Sequence, residues 1–478
     1  MKQMTNIAKS DIRGVYDVVI VGAGFSGTMV AVNVLRAALK PMRILLCDRT
    51  SSIGTGLAYS TTDSQHLLNV RADQMGAYPD DVSNFYTWLR NHPEECKKAG
   101  VKEVKAGGYI PRLLYGAYLQ DILVKTSIDH PELEVANAAI RYVAKHDNLG
   151  FELTTDENIT IYAKQVVLAL GNFPPGNGRL KSKKDNPYSE AVWDELALPG
   201  DVLIIGTGLT SLDLVMTLAK RKKQGRIHMI SRHGLFPQVH KDSECYISNL
   251  TPAELPLTSR ELLHLIRAKV KDAEVQGIGW RAVIDSLRPM NQTIWETLSE
   301  REQRKFLRFL RPYWDTHRHR CSPEIMEVRD ELIAKGKLCV HKGHIVTIEE
   351  NQEIIDVTYR KAGSTNIEMI RVRQLVSCTG PQSDLRKLND PLVDNLLVEG
   401  LVTQDSLKMG VATDEKYEVI DANGHPTSGI YALGSLLKGR LYESVAVPEL
   451  RVQALEVARQ IISYIETNSN LAIPSLHY

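Results

Sequence analysis

The feature that most constrains this chain is a unit written twice. Residues 16–48, "YDVVIVGAGFSGTMVAVNVLRAALKPMRILLCD", and residues 200–232, "GDVLIIGTGLTSLDLVMTLAKRKKQGRIHMISR", each read as an apolar strand, a glycine turn, a helix and a second apolar strand. The short apolar runs at residues 17–21 and 202–205 are the pattern of strands buried on both faces of a parallel sheet. Two such units predict an α/β chain with two Rossmann-like dinucleotide-binding domains.

In the first copy Gly22, Gly24 and Gly27 stand at GxGxxG spacing around Phe25 and Ser26. The first glycine permits the tight turn, the second lets a pyrophosphate approach the backbone, and the third lets the helix pack on the strand. The helix that follows aims free N–H groups and its positive dipole end at the phosphates. Asp48 closes the next strand, placed to accept hydrogen bonds from a ribose diol, and Arg49 follows it.

In the second copy Gly206 and Gly208 make the turn, and Leu209, Thr210 and Ser211 open the helix. Ser211 stands where the first copy has Gly27, which predicts slightly looser packing of helix on strand. The residue 26 places after Gly22 is Asp48, and the residue 26 places after Gly206 is Arg232. A carboxylate there repels a 2′-phosphate, whereas a guanidinium grips it bidentately. The two endings therefore predict two dinucleotides, FAD on the first unit and NADPH on the second. His233 either assists at the same phosphate or caps a strand.

Residues 51–81 are small, polar and without period, and a long irregular stretch in a compact domain is commonly functional. Gly54 and Gly56 suit close approach to a ligand, Leu57, Ala58 and Tyr59 follow, and His66 and Asn69 supply polar tips. His66 reads equally as a structural histidine or as an active-site group. Residues 250–335 read as a largely helical insertion, with capping boxes at Thr258/Glu261 and Ser299/Glu302. Within it Arg311, His317, Arg318, His319, Arg320 and Cys321 crowd together. The spacing is not a common zinc pattern, so no metal is expected. Recognition of an anionic substrate and a solvated basic loop both remain open.

A net charge of +1 gives no reason to expect nucleic acid or an anionic membrane as partner, which leaves a small molecule. The six cysteines include no CxxC pair, and no apolar run approaches the ~20 residues that span a bilayer. These features predict reduced thiols in a cytoplasmic protein.

The stretches "GTGLAYS", "HLLNV", "YIPRLLYGAYL", "GTGLTSLD", "YWDTHRHR" and "ESVAVPELRVQA" together resemble a bacterial family of FAD/NAD(P)-binding proteins, a name that states cofactors and leaves the reaction open. "QVVLALGNFPP", with Gly171, and "LVSCTGPQSD", with Gly380, resemble the strand-and-glycine crossings between the FAD and NADPH domains of two-dinucleotide flavoproteins. The resemblance implies an FAD domain over residues 1–190 and 376–478, interrupted by an NAD(P)H domain over 191–375. It also implies that Gly434, Ser435 and the N-terminus of the helix near Pro448 face the flavin. Ser435 stands where such proteins usually carry an aspartate.

"NVRADQMGAYPDD" is similar to the flavin-facing segment of NADPH-dependent flavin-containing and N-hydroxylating monooxygenases. Carried to Asn69 alone, this implies a hydrogen-bonding group beside the flavin and nicotinamide, with Met75 structural; His66 is a catalytic candidate on its own chemistry only. Those enzymes carry a phenylalanine, a glycine, a histidine and an aromatic residue between the domains. This chain has Phe173, Gly176, Tyr188 and Trp193 there, without the histidine. Oxygen transfer to a nucleophilic nitrogen, sulfur or carbon is the reaction implied. A reductase or oxidase, and a non-catalytic FAD-binding scaffold, are the alternatives.

Overall fold

Alternating side chains along β7 (Val202–Ile205) show how the second glycine unit builds its sheet. Val202 and Ile204 point to one face and join Leu214, Val215 and Leu218 of the following helix, with Trp193, Ile227 and Met229. Leu203 points to the other face and joins Ile230, Val357, Ile370 and Leu375. Burial on both sides is why these strands carry no polar alternation.

The computed structural model describes residues 12–175, 186–242, 244–351 and 353–471; Gly176 lies outside them. The chain forms two compact units, one of Met1–Ser60, Val70–Phe173 and Gln382–Tyr478, the other of Thr61–Asn69 and Pro174–Pro381. The expected boundaries at 190/191 and 375/376 compare with changes of unit at 173/174 and 381/382. Thr61–Asn69, expected within the FAD domain, packs with the second unit.

In the first unit β1 (Val15–Val21) lies parallel to β2 (Ile44–Asp48) and to β6 (Thr160–Leu168), and β2 lies parallel to β3 (Leu133–Asn137). β4 (Ile140–His146) and β5 (Gly150–Thr155) form an antiparallel flap on the N-terminal half of β6. Six strands of the second unit intervene before β13 (Glu418–Ile420) and β14 (Pro426–Ala432) return, β14 pairing parallel with β6. Val18, Val19 and Ile20 at the centre are fully buried. The Val447–Leu471 helix is pinned to this sheet where buried Gln165 donates to the Ile461 carbonyl (3.3 Å). Arg451 of that helix donates to the carbonyls of Gln74 and Gly76, fixing the irregular segment before it.

In the second unit β7 is flanked by β8 (Ile227–Ser231) and β12 (Gln374–Ser377), both parallel. β9 (Leu338–Asn351) continues parallel to β8, and β10 (Ile354–Lys361) and β11 (Ile367–Val372) extend the sheet antiparallel. The insertion is helical, with longer helices at Ser259–Val275 and Pro323–Ala334.

Of the two expected capping boxes, the first forms: Thr258 accepts from the Glu261 N–H and donates to its carboxylate (2.7 Å). The second does not. Ser299 makes no side-chain cap, because Glu302 reaches back to the Ser259 N–H (3.1 Å) and hydroxyl (2.9 Å) and takes the Lys305 ammonium. Those bonds hold its carboxyl down at about 2, the Lys305 bond first and then Ser259. A tertiary partner displaced the local one.

Candidate functional site

Each glycine turn is closed by backbone that leaves no room for a side chain. At Gly22, with φ +106°, a Cβ would stand 2.2 Å from the Ala169 carbonyl oxygen at the end of β6. At Gly206, with φ +123°, it would stand 2.5 Å from the Cys378 carbonyl oxygen at the end of β12. Both helices that follow, Phe25–Ala37 and Leu209–Lys220, begin at glycines with no side-chain cap. Their first N–H groups are the donors that a pyrophosphate takes. Among the described residues, chain neighbours apart, no atom lies within 4 Å of where a Cβ on Gly208 would stand, and only Gly56 does so at Gly24.

Around the first turn the sequence-predicted residues divide between open and engaged. Asp48 accepts from the Ala23 N–H at Oδ2 (2.8 Å) and from Thr50 N–H and hydroxyl at Oδ1 (2.8 and 2.9 Å). It therefore braces the glycine turn and keeps acceptor capacity at Oδ2 for a diol. Gly54 donates to the Ala23 carbonyl (2.7 Å), bringing the loop before Gly56 onto the turn. Gly56–Tyr59 is a single helical turn with Leu57 and Ala58 exposed. Tyr59 packs edge-on against Tyr115 at 4.6 Å, and Phe25 stacks on the same ring at 6.4 Å. Arg49 is taken by Asp390 (2.6 Å) and lies over the Phe173 ring. Gly434 sits beside Ser26, its N–H donating to Gln453 (2.9 Å). The Ser435 hydroxyl donates to the Gly171 carbonyl, so it ties two loops together.

Residues 19–173 match the FAD-NAD(P)-binding family. The chain carries an FAD-NAD(P)-binding domain. That domain contains the first turn, Asp48 and Gly56, and the cradle described above fits a dinucleotide. The chain is also 24% identical over 242 residues to a Baeyer-Villiger monooxygenase of Stachybotrys chlorohalonatus, covering 46% of this chain and 34% of the relative. This chain thus spans about a third of the length of the curated relative it matches. Among solved structures, L-lysine 6-monooxygenase from Pseudomonas syringae superposes with a TM-score of 0.65 at 15% identity, over 94% of this chain and all of the other. Ornithine N-hydroxylase of Kutzneria sp. 744, solved with reduced FAD, NADP+ and L-ornithine, gives 0.64 at 16% identity, over 95% of this chain and all of the other. The fold is that of a two-dinucleotide-binding flavoprotein.

Beside the second turn, the Tyr188 hydroxyl gives its hydrogen to the Asp213 carboxylate (3.1 Å) and accepts from Thr210 (3.3 Å), and Ser211 is fully buried near Cys378. Arg232 is exposed directly after β8. Sequence reasoning missed its neighbour Lys342, which lies opposite Ser231 in the β8–β9 register. Only strand pairing reveals that proximity, since 110 residues separate the two in sequence. Gly380 is exposed after β12.

His66 is fully buried within the second unit, with Tyr188 and Trp193 edge-on to its ring at 5.6 and 5.2 Å. Thr217 gives its hydroxyl hydrogen to the Asp63 carboxylate (2.8 Å), so His66 Nε2 must donate to Thr217 (2.9 Å). Nδ1 then accepts from the Thr61 hydroxyl (2.7 Å). Both ring nitrogens are engaged, and the ring anchors Thr61–Asn69 within the second unit. Asn69 is half-buried, and its carbonyl accepts from His240 Nε2 (3.0 Å).

The basic segment of the insertion is partly self-paired. Arg311 binds Asp315 (3.3 Å), His317 binds the Tyr313 carbonyl (2.7 Å), and buried Arg320 binds Asp285. Among the described residues no three His, Cys, Asp or Glu side chains are placed to hold a metal ion. Among them, too, no helix is long and apolar enough to cross a membrane.

Proposed function

We propose that this protein is an FAD-dependent, NADPH-using flavin monooxygenase that transfers oxygen to a nucleophilic nitrogen, sulfur or carbon of a small molecule in the cytoplasm. The balance is NADPH, a proton, O2 and substrate to NADP+, water and oxygenated substrate. The observation that carries the reading is the pair of matched positions at the ends of β2 and β8, Asp48 in one unit and Arg232 in the other. A ribose diol suits the first and a 2′-phosphate the second.

FAD, when bound, supplies hydride acceptance and oxygen chemistry that no side chain here can supply. The chain's own residues bind and orient. The Gly22–Gly27 turn and uncapped helix hold the FAD pyrophosphate, Asp48 the ribose, and Gly206–Ser211 with Arg232 hold NADPH. Asn69, whose backbone carbonyl binds His240, is the candidate hydrogen-bonding group at the reacting centre. The lysine and ornithine named for structural neighbours make amines the first substrates to screen.

The test is anaerobic reduction with NADPH followed by mixing with oxygenated buffer while the flavin spectrum is recorded. A transient spectrum distinct from both reduced and oxidised flavin, and oxygenated amine in the product, support the reading. Direct return to oxidised flavin supports a reductase or oxidase, the reading favoured by the missing histidine between Phe173 and Trp193.

A further inference from the structure

The glycine turn of the second unit continues into a second, tightly tied turn that presents a histidine among basic side chains. Thr207 Oγ1 lies 2.5 Å from the Leu235 carbonyl and 2.9 Å from Ser231 Oγ. Its one hydrogen goes to the carbonyl, so the Ser231 hydroxyl donates to Thr207 and accepts from the Gly234 N–H (2.9 Å). His233 sits in the middle of this turn.

Three strands bring positive charge to the same place. Arg232 directly follows β8, Lys342 lies opposite Ser231 on β9, and a Cβ on Gly234 would stand 3.3 Å from the Lys342 Cβ. His344, two residues further on the same face of β9, lies opposite Arg360 of β10. Among the described residues no carboxylate forms an ion pair with Arg232, His233, Lys342, His344 or Arg360. The other group against His233 is the Tyr313 ring at 6.0 Å. Elsewhere in the molecule basic side chains are commonly paired, as at Lys220–Asp63 and Arg371–Asp356. An exposed cluster of like charge without a counter-ion is a receptor for a dianion.

We propose that His233, set among Arg232, Lys342 and His344, takes up a proton as the 2′-phosphate binds, so that preference for NADPH over NADH is set by pH. This rests on the NADPH reading above and adds regulation to it. Without the phosphate, burial and then Arg232, Lys342 and His344 hold the imidazole below the ordinary histidine range. A dianion at the same place reverses that balance and favours the imidazolium. The added affinity is therefore fully present below the free-state pKa and is lost as pH rises through the bound-state pKa. Arg232 and Lys342 supply attraction that does not vary across this range.

The experiment is calorimetric titration of the FAD-loaded protein with NADPH, NADH and 2′,5′-ADP between pH 6 and 8.5, each in two buffers of different ionisation enthalpy. The NADPH-to-NADH affinity ratio is expected to fall about tenfold across that range, one pKa unit of linkage. Net proton uptake should accompany NADPH and 2′,5′-ADP but not NADH. His233→Gln retains a donor without titrating, and it should make the ratio less pH-dependent and lower the proton uptake relative to the unaltered protein. The phosphate's own ionisation is common to both proteins, so their difference belongs to His233. Lys342→Met should lower NADPH affinity by a similar factor at every pH. A pH-dependent ratio that survives unchanged in His233→Gln, or a flat ratio in the unaltered protein, overturns this inference alone. If 2′,5′-ADP and NADPH bind no better than 5′-AMP and NADH at any pH, the NADPH reading itself falls.

Discussion

Two of the positions at which the glycine units differ have a direct physical consequence. In the first, a Cβ on Gly27 would stand 1.9 Å from the Gly22 carbonyl oxygen and 3.1 Å from Ile20 Cγ2. In the second, Ser211 occupies the matching place with its side chain fully buried. The first helix thus packs on its strand at a distance that only glycine allows, whereas the second stands far enough away to accept a hydroxyl. At the other end, Asp48 is drawn inward to brace the turn, and Arg232 stays exposed and unbraced. One unit is a tight, internally tied cradle, and the other leaves its charge free for a ligand.

The largest break in this comparison comes from making the first unit like the second. Gly27→Ser forces backbone apart at a contact with no flexible atom to yield, a cost of about 3 kcal/mol or more. We expect protein with little or no bound flavin and a clearly lower Tm, read from the visible spectrum and a thermal melt. Full flavin content in this variant would show that the tight cradle is not what holds the cofactor.

Arg232→Ala removes the ending that separates the units. Loss of a charge-assisted bidentate contact of about 1.5–3 kcal/mol weakens NADPH binding roughly 10- to 100-fold. NADH binding should hardly change, and equal losses for both would remove Arg232 from the 2′-phosphate site. His66→Gln tests the strap that joins the second helix to Thr61–Asn69. Its Thr217 and Thr61 bonds are buried, so about 2–3 kcal/mol of stability should go. The turnover number should stay within about threefold of the unaltered protein, since His66 touches no reacting group. A much larger loss of turnover at preserved Tm would restore a catalytic role.

What could be read in advance follows the range of the interactions. The strands, turns and helices of both units were legible because an apolar run, a glycine at positive φ and a helix start are local events. The same holds for the Thr258/Glu261 box. Ser299/Glu302 carried an equally good local signal and failed, because Ser259 offered Glu302 a better partner 43 residues away. Thr61–Asn69 was assigned to the FAD domain by its place in the chain. Its contacts with Thr217, Leu212 and His240 come from distant segments that no period announces. Lys342 was missed for a similar reason, since its closeness to Ser231 is a matter of strand register. The tie from the Ser435 hydroxyl to the Gly171 carbonyl is another long-range bond that no local signal announces.

The smallest effect, and the sharpest test of asymmetry, is Ser211→Gly, which makes the second unit like the first. Its hydroxyl is buried beside Cys378, whose thiol burial pushes up to about 12, so Cys378 stays neutral at working pH with or without the serine. Glycine in the first turn of the Leu209–Lys220 helix costs about 0.5 kcal/mol relative to serine. The resulting fall in Tm is about 1–2 °C. NADPH affinity should be unchanged, because the donors at this helix start are backbone N–H groups. A loss of affinity comparable to that of Arg232→Ala would mean that the serine side chain holds the turn in its binding geometry. The second unit would then be as tightly specified as the first, by a hydroxyl instead of a missing Cβ.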